Sequence, residues 1–300
     1  MELARDLVYD IGANNGDDAA HYLDKGFRVL CIEADPSLIQ PLQSRFADAI
    51  TGNRLIVLNV ALAPTRSTAQ FCVCEGNSLW NSFDRSIAAR LGGSVYSVEL
   101  DCWPLRDLFE RYGVPHFLKL SLHGQENFCL ADIESNTAPM YLSLELPRDI
   151  RTSEDIFTRL GDLGYSGFKV IDQTTQMQLR LSRPVTSRAK SLLAMAPPLY
   201  SASRSLNLWI ARRFATKSGE PATSDRRNGV LIRGWAFAEG SSGPFGEDTD
   251  GEWRPLAAVR RDYVRFLEAK EWDEVRRLSI WHDLHARRDP NTGAHHHPRP

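Results

Sequence analysis

The alternation of short apolar runs with helical patterns is the feature that most constrains the fold of this chain. Five apolar runs have the length of strands: LVYDI, RVLCIEA, RLIVLNVAL, HFLKLSL and MYLSLEL. Helical patterns separate them, near residues 18–25, 37–49, 105–112, 125–133 and 153–163. Because parallel strands require crossover helices of this kind, the order predicts a mostly parallel, doubly wound α/β sheet.

Further strand patterns extend this predicted core. TAQFCVCE and SVYSVELD are attached to the third strand–helix unit. FKVID and MQLRL, separated by residues 173–176, predict a hairpin that adds an antiparallel edge to the sheet.

The regular pattern ends after about Ser182, where Ser, Pro, Ala and Arg dominate. Two helices are predicted later, one in PLAAVRRDYVRFLEAKEW and one through Val275, Leu278 and Trp281. The predicted organisation is a core at 1–182, a basic insertion or lid at 183–232, a helical cap at 233–289 and a disordered tail at 290–300.

Composition excludes several classes of protein. The net charge of −2 gives no overall attraction to nucleic acid. No apolar stretch has the length of a membrane span, and the first residues lack the pattern of a signal peptide, so we expect a cytoplasmic location. The five cysteines show no C-x-x-C spacing, which predicts buried thiols and neither disulfides nor a metal site.

The first strand carries the most specific motif, VYDIGANNGDDA. Asp10 ends the strand, and Gly12 and Gly16 lie in the turn before a helix, where a ligand can approach the backbone. A dinucleotide site would have glycine in place of Asn14. With Glu33 at the end of the next strand to accept two ribose hydroxyls, the pattern fits S-adenosylmethionine better. The alternative is an ordinary glycine-bearing turn followed by an unrelated acid.

An ordered set of motifs resembles the FkbM family of S-adenosylmethionine-dependent methyltransferases. The matching segments are VYDIGANNGD, VLCIEADP, LNVAL, FLKLSLHGQE and YLSLE, and GSSGPFGED and WHDLHA resemble the tails of some members. The resemblance implies a class I methyltransferase fold, which is Rossmann-like, with a C-terminal helical extension, and S-adenosylmethionine as cofactor. It also implies these cofactor-binding residues: Asp10, Gly12, Asn14, Gly16, Asp17 and Glu33, with Asn59 and Ala61 near the adenine.

FLKLSLHGQE departs from the family pattern where catalysis is expected. Lys119, Ser121 and His123 share one face of the predicted strand, and the family has an aspartate and a glutamate in place of the last two. Serine and neutral histidine suit a hard metal poorly, and methyl transfer needs none. We therefore expect His123 to act as general base and Ser121 to position the acceptor. The alternative is that catalysis has been lost.

Other candidates are less specific. Glu126 matches a family glutamate, but its place in the first turn of a helix also suits the helix dipole. Glu145 ends the fifth strand, where it faces the acceptor or only caps the sheet. His282 and His285 would share a helix face, and the resemblance of W-H-D-L-H adds Asp283 and His285 to the candidate catalytic residues.

A basic segment follows the predicted core. Eight basic and no acidic residues occur from Arg180 to Lys217. Because the first strand begins close to Met1, we expect the chain after Ser182 to cover the site. Its charge predicts an anionic acceptor, or a peripheral membrane contact through 190–217. A solvated insertion is the alternative.

The predicted function is S-adenosylmethionine-dependent O-methylation of a hydroxyl on a saccharide or secondary metabolite. A catalytically silent S-adenosylmethionine-binding module in a polysaccharide or metabolite assembly is the alternative. A nucleotide-sugar-binding protein is a weaker third interpretation.

Overall fold

An eight-stranded sheet forms the centre of the protein, as seen in a computed structural model that describes residues 3–75, 78–89, 94–122, 124–173, 175–179, 230–232, 234–237, 241–268 and 281–289. Its strands are β1 (Leu3–Ile11), β2 (Arg28–Ile32), β3 (Leu55–Leu58), β7 (Val114–Leu120), β8 (Tyr141–Glu145), β9 (Tyr165–Asp172), β10 (Met177–Gln178) and β13 (His282–Arg288). They lie in the order β10-β9-β13-β8-β7-β1-β2-β3. Strands β3, β2, β1, β7 and β8 run parallel, which confirms the predicted sheet.

Eight α-helices are described. They are α1 (Asp17–Asp24), α2 (Pro36–Arg45), α3 (Ala47–Thr51), α4 (Arg85–Ala88), α5 (Leu105–Tyr112), α6 (Glu126–Asp132), α7 (Ile150–Asp162) and α8 (Leu256–Glu268). Helices α1 to α3 pack on one face of the sheet, and α5 to α8 pack on the other. The chain therefore crosses from one face to the other between β3 and β7. In sheets of this kind a change of face marks the edge at which ligands bind.

Strand β13 corrects one prediction. The segment around His282 and His285 is a strand, not a helix, and it pairs antiparallel with both β8 and β9. In an extended chain, residues three apart lie on opposite faces, so these two histidines do not share a face. The predicted antiparallel hairpin of β9 and β10 is confirmed at the sheet edge. Strand β13, formed by residues near the end of the chain, is a second antiparallel strand and lies inside the sheet, between β9 and β8.

Two smaller sheets accompany the central one. Strand β6 (Val95–Trp103) pairs with β5 (Ser67–Cys74) and with β4 (Ala61–Leu62), next to the end of β3. These strands confirm the predicted extension of the third strand–helix unit. A hairpin of β11 (Val230–Ile232) and β12 (Trp235–Phe237) contacts α1, where His21 lies against Trp235 and Phe237.

A segment with one short 3-10 helix, Gly246–Asp248, and no α-helix or strand covers the part of the sheet that α1 to α3 leave open; it comprises residues 241–253. Phe245 stacks on Phe117 of β7 with ring centroids 4.1 Å apart and contacts Tyr22 and Tyr141. Lys169 of β9 donates to the carbonyl and hydroxyl oxygens of Thr249. This segment therefore completes the α1 face of the core from a distant part of the sequence.

Several predictions fall partly or wholly outside the described residues. The basic segment 180–217, the helix through Val275 and Leu278, and the tail 290–300 all lie there, and the proposed domain limits stay predictions. All five cysteines are free and buried, as predicted. Within the described ranges, no helix is both long enough and apolar enough to cross a bilayer.

Candidate active site

The turn after β1 forms the floor of a cleft at the carboxyl edge of the sheet. Gly12 has φ +75°, and a Cβ atom there would lie 2.4 Å from the backbone oxygen of Ser121 at the end of β7. The amide of Gly12 donates to the carbonyl of Ile32 at 2.9 Å. Asn14 also has positive φ, and its side chain donates to Ser78 Oγ at 2.9 Å. The turn is therefore pressed between β2 and β7, and only glycine fits at its first position.

Glu33 is buried where β2 ends and faces this turn. Its Oε2 accepts from the Asn14 amide at 2.6 Å, and its Oε1 accepts from the Asp35 amide at 2.8 Å. Burial raises the pKa of Glu33, and the two amides oppose that rise. Each carboxylate oxygen has two lone pairs, so both can also accept a hydroxyl hydrogen from a ligand in the cleft.

An apolar wall continues the cleft beyond Glu33. It is lined by Ala34, Val60, Ala61, Leu62, Phe71 and Phe83. The rings of Phe71 and Phe83 meet edge to face with centroids 5.2 Å apart. A flat heterocycle such as adenine suits a wall of this kind. Ala61, the predicted adenine contact, lines this wall. Asn59 instead donates to the carbonyls of Glu33 and Ala34.

A buried charged cluster supports the floor of the cleft. Lys119 Nζ lies 2.7 Å from Asp10 Oδ1 and 3.1 Å from Asp18 Oδ2, and it donates to the Gly12 carbonyl at 3.2 Å. Burial and the nearby Asp18 raise the pKa of Asp10 to about 6, although Lys119 opposes the shift. Burial disfavours the charge on Lys119, but the two carboxylates raise its pKa overall. Asp10 therefore binds Lys119 beneath the turn, and Lys119 in turn contacts the Gly12 carbonyl.

Asp18 ties the covering segment to this cluster. It accepts hydrogen bonds from Ser241 Oγ and from the amides of Ser242, at 3.0 Å, and Gly243, at 3.2 Å. Ser241 also lines the cleft. One carboxylate thus joins α1, β7 and a segment more than two hundred residues away.

Gly16 and Asp17 lie at the start of α1. Gly16 has φ +81°, and a Cβ atom there would meet the Phe46 ring at 2.5 Å. Asp17 lines the cleft and pairs with Arg45 at 2.8 Å. Gly16 therefore allows close packing between α1 and the segment joining α2 to α3, whereas the predicted cofactor contact of Asp17 stays a prediction.

The other half of the cleft lies at the ends of β7, β8 and β9 and carries several polar side chains beside Leu122 and Phe128. Ser121, Glu145 and Gln173 line it, and Trp281 contributes an aromatic side chain. Trp80 meets Trp281 edge to face at 6.3 Å. Counting its open mouth, the cleft has a volume of about 1140 Å³.

Asp283 and His285 lie on the face of β13 opposite Leu284 and Ala286. Both side chains are buried. Burial and the neighbouring Glu145 raise the pKa of Asp283 to about 7, which Ser242 and Gln173 oppose. Burial, with Lys169 nearby, lowers the pKa of His285 to about 3, so this imidazole is neutral. Glu126 is also buried, and its Oε1 accepts from the Leu122 amide at 2.9 Å. It holds the loop that follows Ser121.

His123 lies outside the described residues, so its predicted role as base stays a prediction. Gln173, Trp281, Ser241 and the two phenylalanines of the apolar wall were not predicted as site residues. A strand-end position was the only available signal for Gln173, since polar residues at this edge often bind ligands. Within the described part of the chain, no three His, Cys, Asp or Glu side chains form a potential metal-binding group.

The strand order and the cleft have the features of the class I methyltransferase fold. These are a glycine-containing turn after the first strand, a carboxylate at the end of the second and an antiparallel strand inside the sheet. Residues 10–158, about half of the chain, match the model of the methyltransferase FkbM domain. The chain belongs to the FkbM family, whose members are S-adenosylmethionine-dependent methyltransferases. The curated proteins compared with it include no match.

Three similar solved structures are distant from this chain in sequence. The methyltransferase FkbM from Methylobacillus flagellatus KT is 20% identical with a TM-score of 0.34, over 54% of this chain and 36% of that one. A precorrin-6y C5,15-methyltransferase from Geobacter metallireducens GS-15 is 11% identical with a TM-score of 0.34, over 62% and 74%. A methyltransferase from Geobacter sulfurreducens in complex with S-adenosyl-L-homocysteine is 9% identical with a TM-score of 0.32, over 96% and 86%. This chain thus spans about a third of the first of these proteins.

Proposed function

We propose that this protein methylates a hydroxyl group of a saccharide or a saccharide-bearing metabolite. The observation that carries the proposal is one continuous cleft with two chemically different halves. One half joins the Gly12 turn, Glu33 and an apolar wall, and the other presents Ser121, Glu145 and Gln173 beside Trp281. Reactants held in adjoining halves of one cleft meet at their boundary, which supplies the alignment that methyl transfer requires.

The first half fits S-adenosylmethionine part by part. Glu33 is placed to accept the ribose hydroxyls, and the wall beside Ala61 to contact the adenine. The amides of residues 12–16 already donate within the protein, whereas the carbonyls of the Gly12 turn can accept a further hydrogen bond, so they are placed to bind the ammonium group of the amino-acid end. When bound, the cofactor supplies a methyl group on a cationic sulfur. The charged residues of the described lining are Asp17, Asp18, Glu33, Glu145 and Lys119. An excess of carboxylates favours a cation.

The second half suits a polyhydroxylated acceptor. An indole face such as that of Trp281 packs against the apolar face of a sugar ring, while amide and carboxylate groups bind its hydroxyls. Glu145 is the described side chain best placed to take the hydroxyl proton, and Ser121 to bind the acceptor. His123 remains the alternative base. An anionic acceptor, bound by the basic segment 180–217, also remains a proposal.

Replacing Glu33 with alanine should weaken S-adenosylmethionine binding roughly tenfold to a hundredfold, since paired hydrogen bonds to the ribose would be lost at about 1–3 kcal/mol. Titration calorimetry on the full chain measures this directly. The matched control is Glu99→Gln, on the exposed surface of β6, which should bind as the wild type does. Equal affinity in the Glu33 variant would remove the ribose assignment.

Turnover separates an enzyme from a silent binding module, an alternative favoured by serine in place of a family carboxylate at position 121. Wild-type protein, S-adenosylmethionine and a panel of neutral and phosphorylated glycosides should release S-adenosylhomocysteine, measured by mass spectrometry, with or without chelator. Glu145→Gln should lower kcat at least a hundredfold if Glu145 is the base. If His123 is the base, His123→Ala should do so instead, and wild-type rate should rise through about pH 6 to 7. Cofactor binding without turnover on any acceptor would favour the silent module.

A further inference from the structure

Two carboxyl groups face each other at the acceptor end of the cleft. Asp283 of β13 lies directly opposite Glu145 of β8 in the antiparallel register. Opposed residues of this kind point to the same face and have Cβ atoms about 4.5–5.5 Å apart. Two negative charges so close destabilise each other strongly, and a shared proton is the usual solution. The pair is therefore expected to carry one proton.

The surroundings place that proton on Asp283. Its side chain is 2% exposed, whereas Glu145 lines the cleft. Asp283 Oδ1 accepts a hydrogen bond from Gln173 Nε2. Its Oδ2 is buried and accepts no hydrogen bond of ordinary geometry within the described structure, although the Ser242 side chain lies close enough to lower the pKa of Asp283. A buried oxygen without a donor is costly as part of a carboxylate but suits the O–H of a neutral carboxyl group.

The charged groups that face Asp283 come from three elements. Glu145 of β8 raises its pKa, Lys119 of β7 lowers it, and Tyr22 of α1 is close enough to be affected by its charge. Lys119 is already bound by Asp10 and Asp18, so its charge is largely compensated there. Burial and Glu145 together outweigh it, in agreement with the geometry.

We propose that Asp283 is a positioning residue that stays protonated and donates its hydrogen to the Glu145 carboxylate, thereby orienting Glu145 as the base of the reaction. Gln173 orients Asp283 in turn, since it holds Oδ1 and leaves Oδ2 to face Glu145. The role of Glu145 as base rests on the proposed function. The sharing of one proton between Asp283 and Glu145 does not depend on it.

The reaction balances with these groups alone. The acceptor oxygen forms its bond to the methyl carbon while the carbon–sulfur bond breaks, and that electron pair stays on sulfur. The acceptor O–H bond breaks, and its proton goes to the Glu145 carboxylate. Asp283 keeps its own proton throughout. Glu145 then loses the new proton to water at the cleft mouth.

The pair can be tested without turnover. In the full chain labelled with ¹³C at aspartate carboxyl carbons, two signals should titrate above pH 5, those of Asp10 and Asp283, and the one with the higher midpoint should be absent in Asp283→Asn. Glu145→Gln removes the opposing charge and should move that midpoint lower. The control Asp101→Asn, on an exposed position of β6, should leave it in place. A midpoint for Asp283 below pH 5, or one that Glu145→Gln leaves unchanged, overturns the proposal.

Kinetics then test the positioning role. Asp283→Asn keeps a hydrogen donor and should hold kcat within about tenfold of wild type with a flatter alkaline limb, because it cannot ionise. Asp283→Ala removes the donor and should lower kcat at least a hundredfold with cofactor affinity unchanged. Equal kcat in the alanine and wild-type proteins overturns the positioning role. A coupled titration in a protein that methylates none of the glycosides would instead contradict the proposed function and leave the pair supported.

Discussion

Gly12→Ala should abolish measurable cofactor binding. The residue has φ +75°, and its new Cβ would lie 2.4 Å from the Ser121 backbone oxygen, which the end of β7 holds in place. Strain of left-handed backbone and overpacking together should cost about 3 kcal/mol of folding free energy. The turn relieves that contact only by moving away from β7, which changes the position of the Asn14 amide on Glu33. Calorimetry should show S-adenosylmethionine affinity lowered more than about a hundredfold.

The matched control is Gly26→Ala. Gly26 also has positive φ, at +89°, but no atom lies within 4 Å of its would-be Cβ. This variant should show only the backbone strain, about 1–2 kcal/mol, in a urea denaturation and should bind the cofactor normally. If both variants bind alike, the Gly12 turn is not the cofactor site.

Local patterns predicted most elements of this fold. Helix α5 has the predicted limits, and β1, β7 and β8 lie within a few residues of theirs. These elements repeat apolar residues at one period over their whole length, so neighbouring residues suffice to identify them. The Gly12 turn and Glu33 could also be predicted from the sequence, because a strand, a turn, a helix and a second strand follow one another there without interruption.

Strand β13 was missed because its pairing is not local. Leu284 and Ala286 face the core of α5 to α8, while Asp283 and His285 face the other side, where polar residues are buried too. Seven residues with that composition suit a helix as well as a strand. The partners that decide between them lie in β8 and β9, more than one hundred residues earlier.

The buried charged cluster at the site could not be predicted in full either, again because some of its contacts join distant parts of the chain. Sequence reasoning placed Asp10 and Lys119 at neighbouring strand ends, but Asp18 was no more than a helix residue. Its bonds to Ser241, Ser242 and Gly243 span about 223 residues. No local pattern encodes such a contact. Only the folded structure shows that residues 241–253 supply part of the cleft wall, through Ser241.

Lys119→Met should destabilise the protein by about 3–5 kcal/mol at pH 8, because it leaves the buried carboxylates of Asp10 and Asp18 without their cation. The loss should shrink at pH 5. The pKa of Asp10 is already raised to about 6 in the folded wild type. A carboxyl group with a raised folded pKa favours the folded state at low pH, and this contribution is lost as pH rises through the folded value. Removing Lys119 enlarges that effect, whereas wild-type Lys119 itself stays charged from pH 5 to 8.

A second substitution distinguishes charge from packing. Asp10→Asn combined with Lys119→Met removes one cation and one anion together and leaves Asp18 with its three donors from residues 241–243. This double variant should regain at least half of the lost stability at pH 8, measured by urea denaturation followed by circular dichroism. It should also lose most of the pH dependence that Lys119→Met adds, since the Asp10 carboxyl group is gone. A single variant as stable as wild type at pH 8, or a double variant no better than the single one, would show that Lys119 contributes through its packed stem and that the floor of the cleft does not depend on this ion cluster.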